Sequence, residues 1–227
     1  MSIKSLVFKI LEEQSLQEIF PALRRYSLPK VASYLIGAFL HKDEVIKWKA
    51  IYAFGKVLGA MSEKDVEQAR IFIRRLMWML NEESASMPWG VGEAFGEALY
   101  NSPILQKEYK FIYVSYIWED SGNFLEFQPA QRGIVWGLGR IGEKFPAILL
   151  ETNAVNYLKN LLKKSTDEML TFFILHTFHI LKKHNLNLPI SQNTFSLYVK
   201  NLIQKNFSCL LLVEDQIRLK TAQELLS

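Results

Sequence analysis

An octapeptide that recurs along the chain is the sequence feature that most constrains its fold. Each copy combines aromatic and small residues, and the final glycines, Gly55, Gly96 and Gly139, are 41 and 43 residues apart. A fixed period of this length indicates one supersecondary unit that stacks on its own copies. The copies are WKAIYAFG (48–55), WGVGEAFG (89–96) and RGIVWGLG (132–139), and the same apolar pattern continues at 172–179.

Helical periodicity runs through nearly the whole sequence. Apolar residues recur every three or four positions, and no segment alternates as a half-buried strand would. One such stripe runs from Val66 to Leu80, on a helix whose predicted N-cap is Ser62. The sequence therefore predicts an all-α protein. Helices are predicted near 3–13, 15–26, 30–41, 43–60, 64–81, 89–101, 104–118, 129–144, 147–164, 167–184, 191–205 and 212–226.

A two-helix unit that repeats at about forty residues resembles the HEAT family, including the HEAT-like repeats of the phycobilisome-lyase type. The resemblance covers most of residues 30–185 and implies a single α-solenoid domain of about five to six repeats. It assigns residues 1–29 and 186–227 to capping helices. It also implies that the helices beginning at Trp48, Trp89 and Gln131 line the concave side, where this fold usually binds partners.

The charge distribution narrows the choice of partner. The net charge is +4, but it divides into +5 for residues 1–81, −6 for 82–127 and +5 for 128–227. An acidic centre is not expected in a groove that follows a phosphate backbone, so nucleic acid is the less favoured partner.

The start of the sequence lacks the features of a signal peptide, and its apolar runs are too short to span a bilayer. We therefore expect a cytoplasmic protein without a membrane partner. The one cysteine, Cys209, excludes an internal disulfide and is predicted to be a small buried residue.

Three motif-like segments do not support an enzyme or a metal site. The segment 137–142 matches GxGxxG by letter, but the residues before it are already helical, whereas the dinucleotide fingerprint follows a strand. The turn at 120–126 lacks the spacing of a calcium loop. His176, His179 and His184 do not share one helix face. The sequence therefore predicts no catalytic residue, no metal and no cofactor.

Tryptophans, arginines and carboxylates concentrate at helix ends between residues 74 and 140. Arg132, Trp136 and Arg140 lie one turn apart on one line of a helix, which suits cation–π stacking. The same line could instead form ion pairs that tie neighbouring repeats together. The other candidate binding residues are Arg74, Arg75, Trp78, Glu82, Glu83, Trp89, Glu93, Trp118, Glu119, Asp120, Asn123 and Glu126.

We predict a non-catalytic interaction or scaffold protein that binds a protein partner, or a small polar ligand, through Trp89, Trp136 and the charges around them. Tryptophan and arginine are common among the few residues that carry most of the binding energy at protein interfaces. One alternative is a DNA-repair enzyme that resembles the HEAT-like alkylpurine DNA glycosylases, in which a carboxylate near aromatic rings would stabilise a cationic base. A second, a bilin or small-ligand lyase or chaperone, follows only from the repeat subtype.

Overall fold

A computed structural model describes residues 2–81 and 89–226 of the chain, which are predominantly helical. Helices make up 72% of it, and this confirms the helical class. Glu82 and Glu83, two of the candidate site residues, lie outside the described residues. The elements are α1 (Ile3–Glu13), α2 (Leu16–Leu23), α3 (Leu28–Ala38), α4 (Glu44–Lys64), α5 (Val66–Asn81), α6 (Val91–Asn101), α7 (Pro103–Ser115), α8 (Gln128–Lys144), α9 (Ala147–Glu151), α10 (Ala154–Lys164), α11 (Glu168–Lys183), α12 (Gln192–Gln204), β1 (Ser208–Val213), β2 (Gln216–Thr221) and a 3-10 helix (Ala222–Leu226).

Four helices form a central row, in which α4 packs on α6, α6 on α8, and α8 on α11. Other helices pack beside this row: α3 on α4, α5 on α4 and α6, α7 on α6 and α8, and α12 on α11. The three octapeptides fall in α4, at the start of α6 and in α8. They therefore occupy corresponding places in successive helices of the row.

The repeat glycines set how closely α6 and α8 approach. A Cβ atom on Gly96 would lie 2.5 Å from the Cα of Gly137, where no real Cβ atom can sit. Tyr113 of α7 reaches into the same junction, and its hydroxyl lies 2.9 Å from the Gly92 carbonyl oxygen and 3.1 Å from that of Ile134. An interior glycine costs a helix about 1 kcal/mol relative to alanine, and the close packing offsets that cost.

Two helix predictions are wrong. The segment 147–164 forms two helices, α9 and α10, because Asn153 adopts a left-handed conformation (φ 60) between them. Asparagine tolerates that conformation better than most residues. The segment 212–226 is not a helix but part of a β-hairpin followed by the 3-10 helix.

The hairpin has a tight turn with unusual residues. Val213 pairs with Gln216 across the antiparallel ladder, so Glu214 and Asp215 alone form the turn. Both have positive φ, 49 and 55, which is the type I′ geometry that normally selects Asn and Gly. The local sequence therefore does not favour this turn, and contacts elsewhere in the chain must stabilise it.

The predicted cap of α5 is also wrong. Ser62 lies inside α4, where its hydroxyl donates to the Gly59 carbonyl at 2.8 Å. Asp65 takes the capping role instead, since its carboxylate accepts from the backbone N–H of Gln68 at 3.1 Å. Among the described residues, no helix is both long and apolar enough to cross a bilayer.

We expect Gly96→Ala to lower the free energy of unfolding by about 3 kcal/mol, because its methyl group would meet the backbone of α8. Gly37→Ala is the matched control, since a Cβ atom there has no heavy atom within 4 Å. Gly37 lies in α3, so that variant should gain up to about 1 kcal/mol. Urea denaturation measures both, and equal stability of the two variants would contradict the packing argument.

Candidate functional site

Arg140 lies at the centre of a buried cluster of charges on α8. The residue is 2% exposed, and its Nε donates to Glu97 Oε2 at 2.8 Å. Nη1 pairs with Glu143 and Nη2 with Asp215 of the hairpin turn. The ring of Tyr100 stacks on the guanidinium, with 3.8 Å between its centroid and Cζ. Protein groups therefore compensate this buried charge on every side, as a buried guanidinium requires.

The cluster holds more carboxylates than cations. Burial raises the pKa of Glu97 and of Glu143, and the charge of Arg140 opposes the shift in both. Lys56 adds a second cation, with its Nζ 3.8 Å from Asp215. The guanidinium of Arg140 therefore serves as the structural counterion of this cluster and is already engaged by protein groups.

Two indoles hold the first strand of the hairpin. Trp48 Nε1 donates to the Leu210 carbonyl at 2.9 Å, and Trp136 Nε1 donates to the Leu212 carbonyl at 3.1 Å. The two rings contact each other, with centroids 4.8 Å apart. Carbonyls two residues apart point to the same side of a strand, so the indoles bond one edge of β1. The two indoles therefore bond to the main chain of the strand and not to its side chains.

The turn of the hairpin is held by charges from three directions. The Glu214 backbone N–H donates to the Glu143 carboxylate at 3.3 Å. The Glu214 carboxylate pairs with Arg218 at 3.0 Å and with Lys183 of α11 at 3.7 Å. Because Arg140 also pairs with Asp215, both turn residues are anchored to the central row. The chain's own C-terminal hairpin thus covers Trp136 and Arg140, which were predicted to be open to a partner.

Three other candidate residues lie at the beginnings of the central helices. Trp89 immediately precedes the first turn of α6 and is 43% exposed. Arg132 binds Asp167 at the start of α11, with Nε 3.0 Å from Oδ1. Burial raises the pKa of the Glu93 carboxyl, opposed by the charges of Lys47 and Arg132. Among the described residues, no salt bridge reaches Glu93, although the charges of Lys47 and Arg132 act on its carboxylate.

The remaining predicted residues do not join this surface. On α5, Arg74 pairs with Glu67 at 2.7 Å, while Arg75 and Trp78 are exposed. Trp78 is 65% exposed, and among the described residues no hydrogen bond, ion pair or ring contact joins the α5 candidates to Arg132 or Arg140. The i, i+4 spacing places Arg74 and Trp78 on one face of α5, but that face is exposed and separate from Arg132 and Arg140 of α8.

The loop after α7 forms a separate group. Trp118 stacks on Tyr157 of α10, with centroids 5.5 Å apart, and its Nε1 donates to Asp120 at 3.3 Å. Glu119 pairs with Lys164 at 2.7 Å. Asn123 Nδ2 donates to Ser115 Oγ at 3.0 Å, and Glu126 is exposed. These contacts fix the loop against α7 and α10.

Trp48, Glu97 and Asp215 belong to this site but were not among the predicted site residues. The repeat did indicate a role for Glu97, because Lys56, Glu97 and Arg140 each follow the final glycine of an octapeptide. Corresponding positions on adjacent repeats lie side by side, so alternating charges there predict an ion-pair ladder. Arg140 and Glu97 form that pair, and Lys56 joins it through Asp215.

The histidines of α11 are buried and uncharged. Burial lowers the pKa of His176 to about 3, and the nearby lysines act in the same direction. Burial also lowers the pKa of His179. Within the described ranges, no group of three or more histidine, cysteine or acidic side chains is arranged to hold a metal ion.

Comparisons with known proteins add little to this description. No family model matches the chain. An uncharacterised protein from Archaeoglobus fulgidus is 32% identical over 114 residues, which cover 49% of this chain and 54% of that protein. The chain thus matches about half the length of that relative. The crystal structure of an engineered protein aligns over 91% of both chains, at 14% identity and a TM-score of 0.40. Neither name states an activity.

We expect Arg140→Met to lower the free energy of unfolding by about 3–5 kcal/mol, because it leaves Glu97 buried without a counterion. Adding Glu97→Gln should recover part of that loss. Arg74→Met is the matched control, and its exposed pair with Glu67 predicts an unchanged denaturation midpoint. If Arg140→Met also left the midpoint unchanged, the cluster would not stabilise the fold.

The buried histidines predict a dependence on pH. Since the folded-state pKa of His176 is about 3 and its ordinary value is 6.5, the unfolded chain binds the proton more tightly. Its contribution to stability is complete above pH 6.5 and decreases by about 1.4 kcal/mol per pH unit as the pH falls toward 3. Burial raises the pKa of Glu97 and of Glu143, so these two groups change the stability with pH in the opposite direction. The test is therefore the difference in the free energy of unfolding between the wild type and His176→Gln at each pH. Parallel stability profiles between pH 5 and 6.5 would contradict the assignment.

Proposed function

We propose that the protein is a non-catalytic HEAT-like helical-repeat protein, whose central row binds an extended segment of a protein partner. The row is continuous from α4 to α11, and at least one further helix packs beside each member. Stacked two-helix units of this kind offer a long surface made of corresponding positions. On this proposal the exposed part of that surface is the line of helix beginnings at Trp89, Glu93 and Arg132.

One observation carries the proposal: the same row already binds an extended strand. Trp48 and Trp136 donate to main-chain carbonyls of β1, so the row recognises polypeptide backbone with little dependence on side-chain identity. Backbone recognition of extended segments is a general mode of peptide binding. The hairpin occupies one part of the row, and a partner would use the part next to it.

The charges next to the hairpin indicate what the partner carries. Glu93 is partly buried and forms no salt bridge with the described residues, while Arg132 is already bound to Asp167. A carboxylate in this position favours a cationic group. Trp89, with 43% of its surface exposed, provides an aromatic face for the same group. We infer that the partner inserts a lysine or an arginine beside Trp89.

The two enzyme alternatives receive less support. A DNA-binding groove needs unpaired cations, but Arg132 is bound by Asp167 and Arg140 by three carboxylates. The lyase alternative would require a reactive acceptor such as a thiolate. Burial raises the pKa of the Cys209 thiol to about 12, so that thiol stays protonated at neutral pH. Both alternatives stay predictions that the respective activity assays test.

Site-specific photo-crosslinking tests the proposed surface. A photoreactive phenylalanine analogue in place of Trp89 should capture one protein partner in cells that contain it, because the partner lies against this face. The same analogue in place of Trp78, which is more exposed but lies on α5, is the matched control and should capture none.

The charge prediction is tested on the captured partner. Glu93→Gln should weaken its affinity about tenfold, as expected for a lost charge-assisted contact. Equal capture from positions 78 and 89, or an affinity that Glu93→Gln leaves unchanged, would rule out binding at this surface. The melting temperature of each variant must match the wild type within a few degrees.

A further inference from the structure

One edge of the hairpin carries main-chain groups that face no partner strand. Val213 and Gln216 flank the two-residue turn, and residues in that position exchange two main-chain hydrogen bonds. Bonded pairs alternate with unbonded pairs along an antiparallel ladder. In β2, Arg218 therefore bonds to β1, whereas the N–H and C=O groups of Ile217 and Leu219 point outward.

The contacts of β1 agree with this alternation. The same rule directs the main-chain groups of Leu210 and Leu212 away from β2. Their carbonyls accept the indole hydrogen bonds of Trp48 and Trp136. The outer edge of β1 is thus covered by the central row, and β2 provides the other edge of the sheet.

The outer edge of β2 is open at its centre. Among the described residues, no hydrogen bond from outside the hairpin reaches the main chain of Ile217 or Leu219. Closer to the 3-10 helix, the N–H of Thr221 donates to Glu224 Oε1 at 2.9 Å. An open strand edge is a template for pairing with another strand.

Apolar side chains line one face of the hairpin up to this edge. Leu219 lies opposite Leu210 in the ladder, and Ile217 lies opposite Leu212 on the same face. Leu210 and Ile217 are partly buried against the core, but Leu219 is 60% exposed. The apolar face therefore ends in an exposed leucine at the unpaired edge.

The other face of β2 carries two cations that are paired within the chain. Arg218 binds Glu214 at 3.0 Å, and Lys220 binds Glu224. Charged side chains on an edge strand usually oppose pairing with another strand. Because each of these cations has its own carboxylate, that repulsion is reduced, and the strand has no preference for an acidic partner.

A second copy of the chain fits this edge because β2 is complementary to itself. In an antiparallel pair centred on Leu219, the exposed leucine meets its own copy, and Ile217 meets Thr221. On the other face Arg218 lies opposite Lys220, and each brings its carboxylate to the contact. No other residue of β2 at the centre of the pair would place the exposed leucine against another leucine.

We propose that two copies of the chain pair through β2 about a twofold axis at Leu219, and so form one four-stranded antiparallel sheet. Each Leu219 donates its N–H to the Leu219 carbonyl of the other copy, and each Ile217 N–H donates to a Thr221 carbonyl. Leu210 and Leu219 of both copies form a continuous apolar row, which buries the exposed leucine. The surface proposed for a protein partner lies elsewhere and stays free.

The oligomeric state of the full chain tests the proposal. A strand pair buries less than the roughly 1,200 Å² of a standard interface, so we expect a weak dimer. Sedimentation equilibrium from about 5 to 500 µM should show a reversible monomer–dimer equilibrium with a dissociation constant of about 100 µM. A chain that stays monomeric over this range would overturn the proposal.

Amide hydrogen exchange shows whether the dimer forms through β2. Exchange at the Leu219 N–H should be about threefold slower at the highest concentration than at the lowest, because the dimer protects it. Unchanged exchange at Leu219 in a sample that dimerises would place the contact elsewhere and would equally overturn the proposal.

Variants at the axis provide the matched comparison. Leu219→Lys places two charges against each other and should weaken dimerisation at least about tenfold. Leu219→Pro removes the outward N–H without removing a bond to β1, and should have the same effect. Leu197→Lys on α12 is the control, since Leu197 is 59% exposed, and it should dimerise as the wild type does.

Dimerisation of Leu219→Lys with the affinity of the wild type would contradict the twofold contact. Circular dichroism verifies that each variant folds. If Leu219→Pro does not fold, Leu219→Lys and the exchange of the wild type still decide.

Discussion

The close approach of α6 and α8 at their glycines is the constraint on which the rest of the structure depends. With no side chain at Gly96 or Gly137, the two backbones come into contact. The Tyr113 hydroxyl donates to the Gly92 carbonyl at the same junction. This distance brings Glu97 of α6 within bonding range of Arg140 of α8. Arg140 in turn holds Asp215, so the position of the hairpin follows from glycine packing at the centre of the row.

The helical part of the fold could be predicted because its information is local. Apolar residues at steps of three and four specify a helix wherever they occur, and the octapeptides locate α4, α6 and α8. Even the central ion pair was readable, since Glu97 and Arg140 hold the same position in adjacent repeats. In a repeat protein, residues at the same position of adjacent repeats lie side by side. The sequence alone therefore predicts contacts between them, without an alignment of relatives.

The hairpin could not be predicted, and neither could the separation of the candidate residues into several groups. Both depend on contacts between residues that are distant in the sequence. Glu214 and Asp215 are poor residues for a type I′ turn, and their conformation rests on Arg140, Lys183 and Glu143. The candidate residues of α5 and α8 share one spacing, yet Trp78 is exposed and Trp136 is buried. Spacing shows which residues share a helix face, but the neighbouring elements decide what covers that face.

The hydrogen bond between Trp48 and Leu210 joins residues 162 positions apart, and this has a consequence for how the chain folds. Repeat proteins usually fold by local contacts that spread from one unit to the next. Here β1 is synthesised after all four central helices and bonds to the first of them, so the hairpin can dock only once the helices from α4 to α11 have been made. During synthesis the indoles of Trp48 and Trp136 therefore remain without their strand until β1 has left the ribosome.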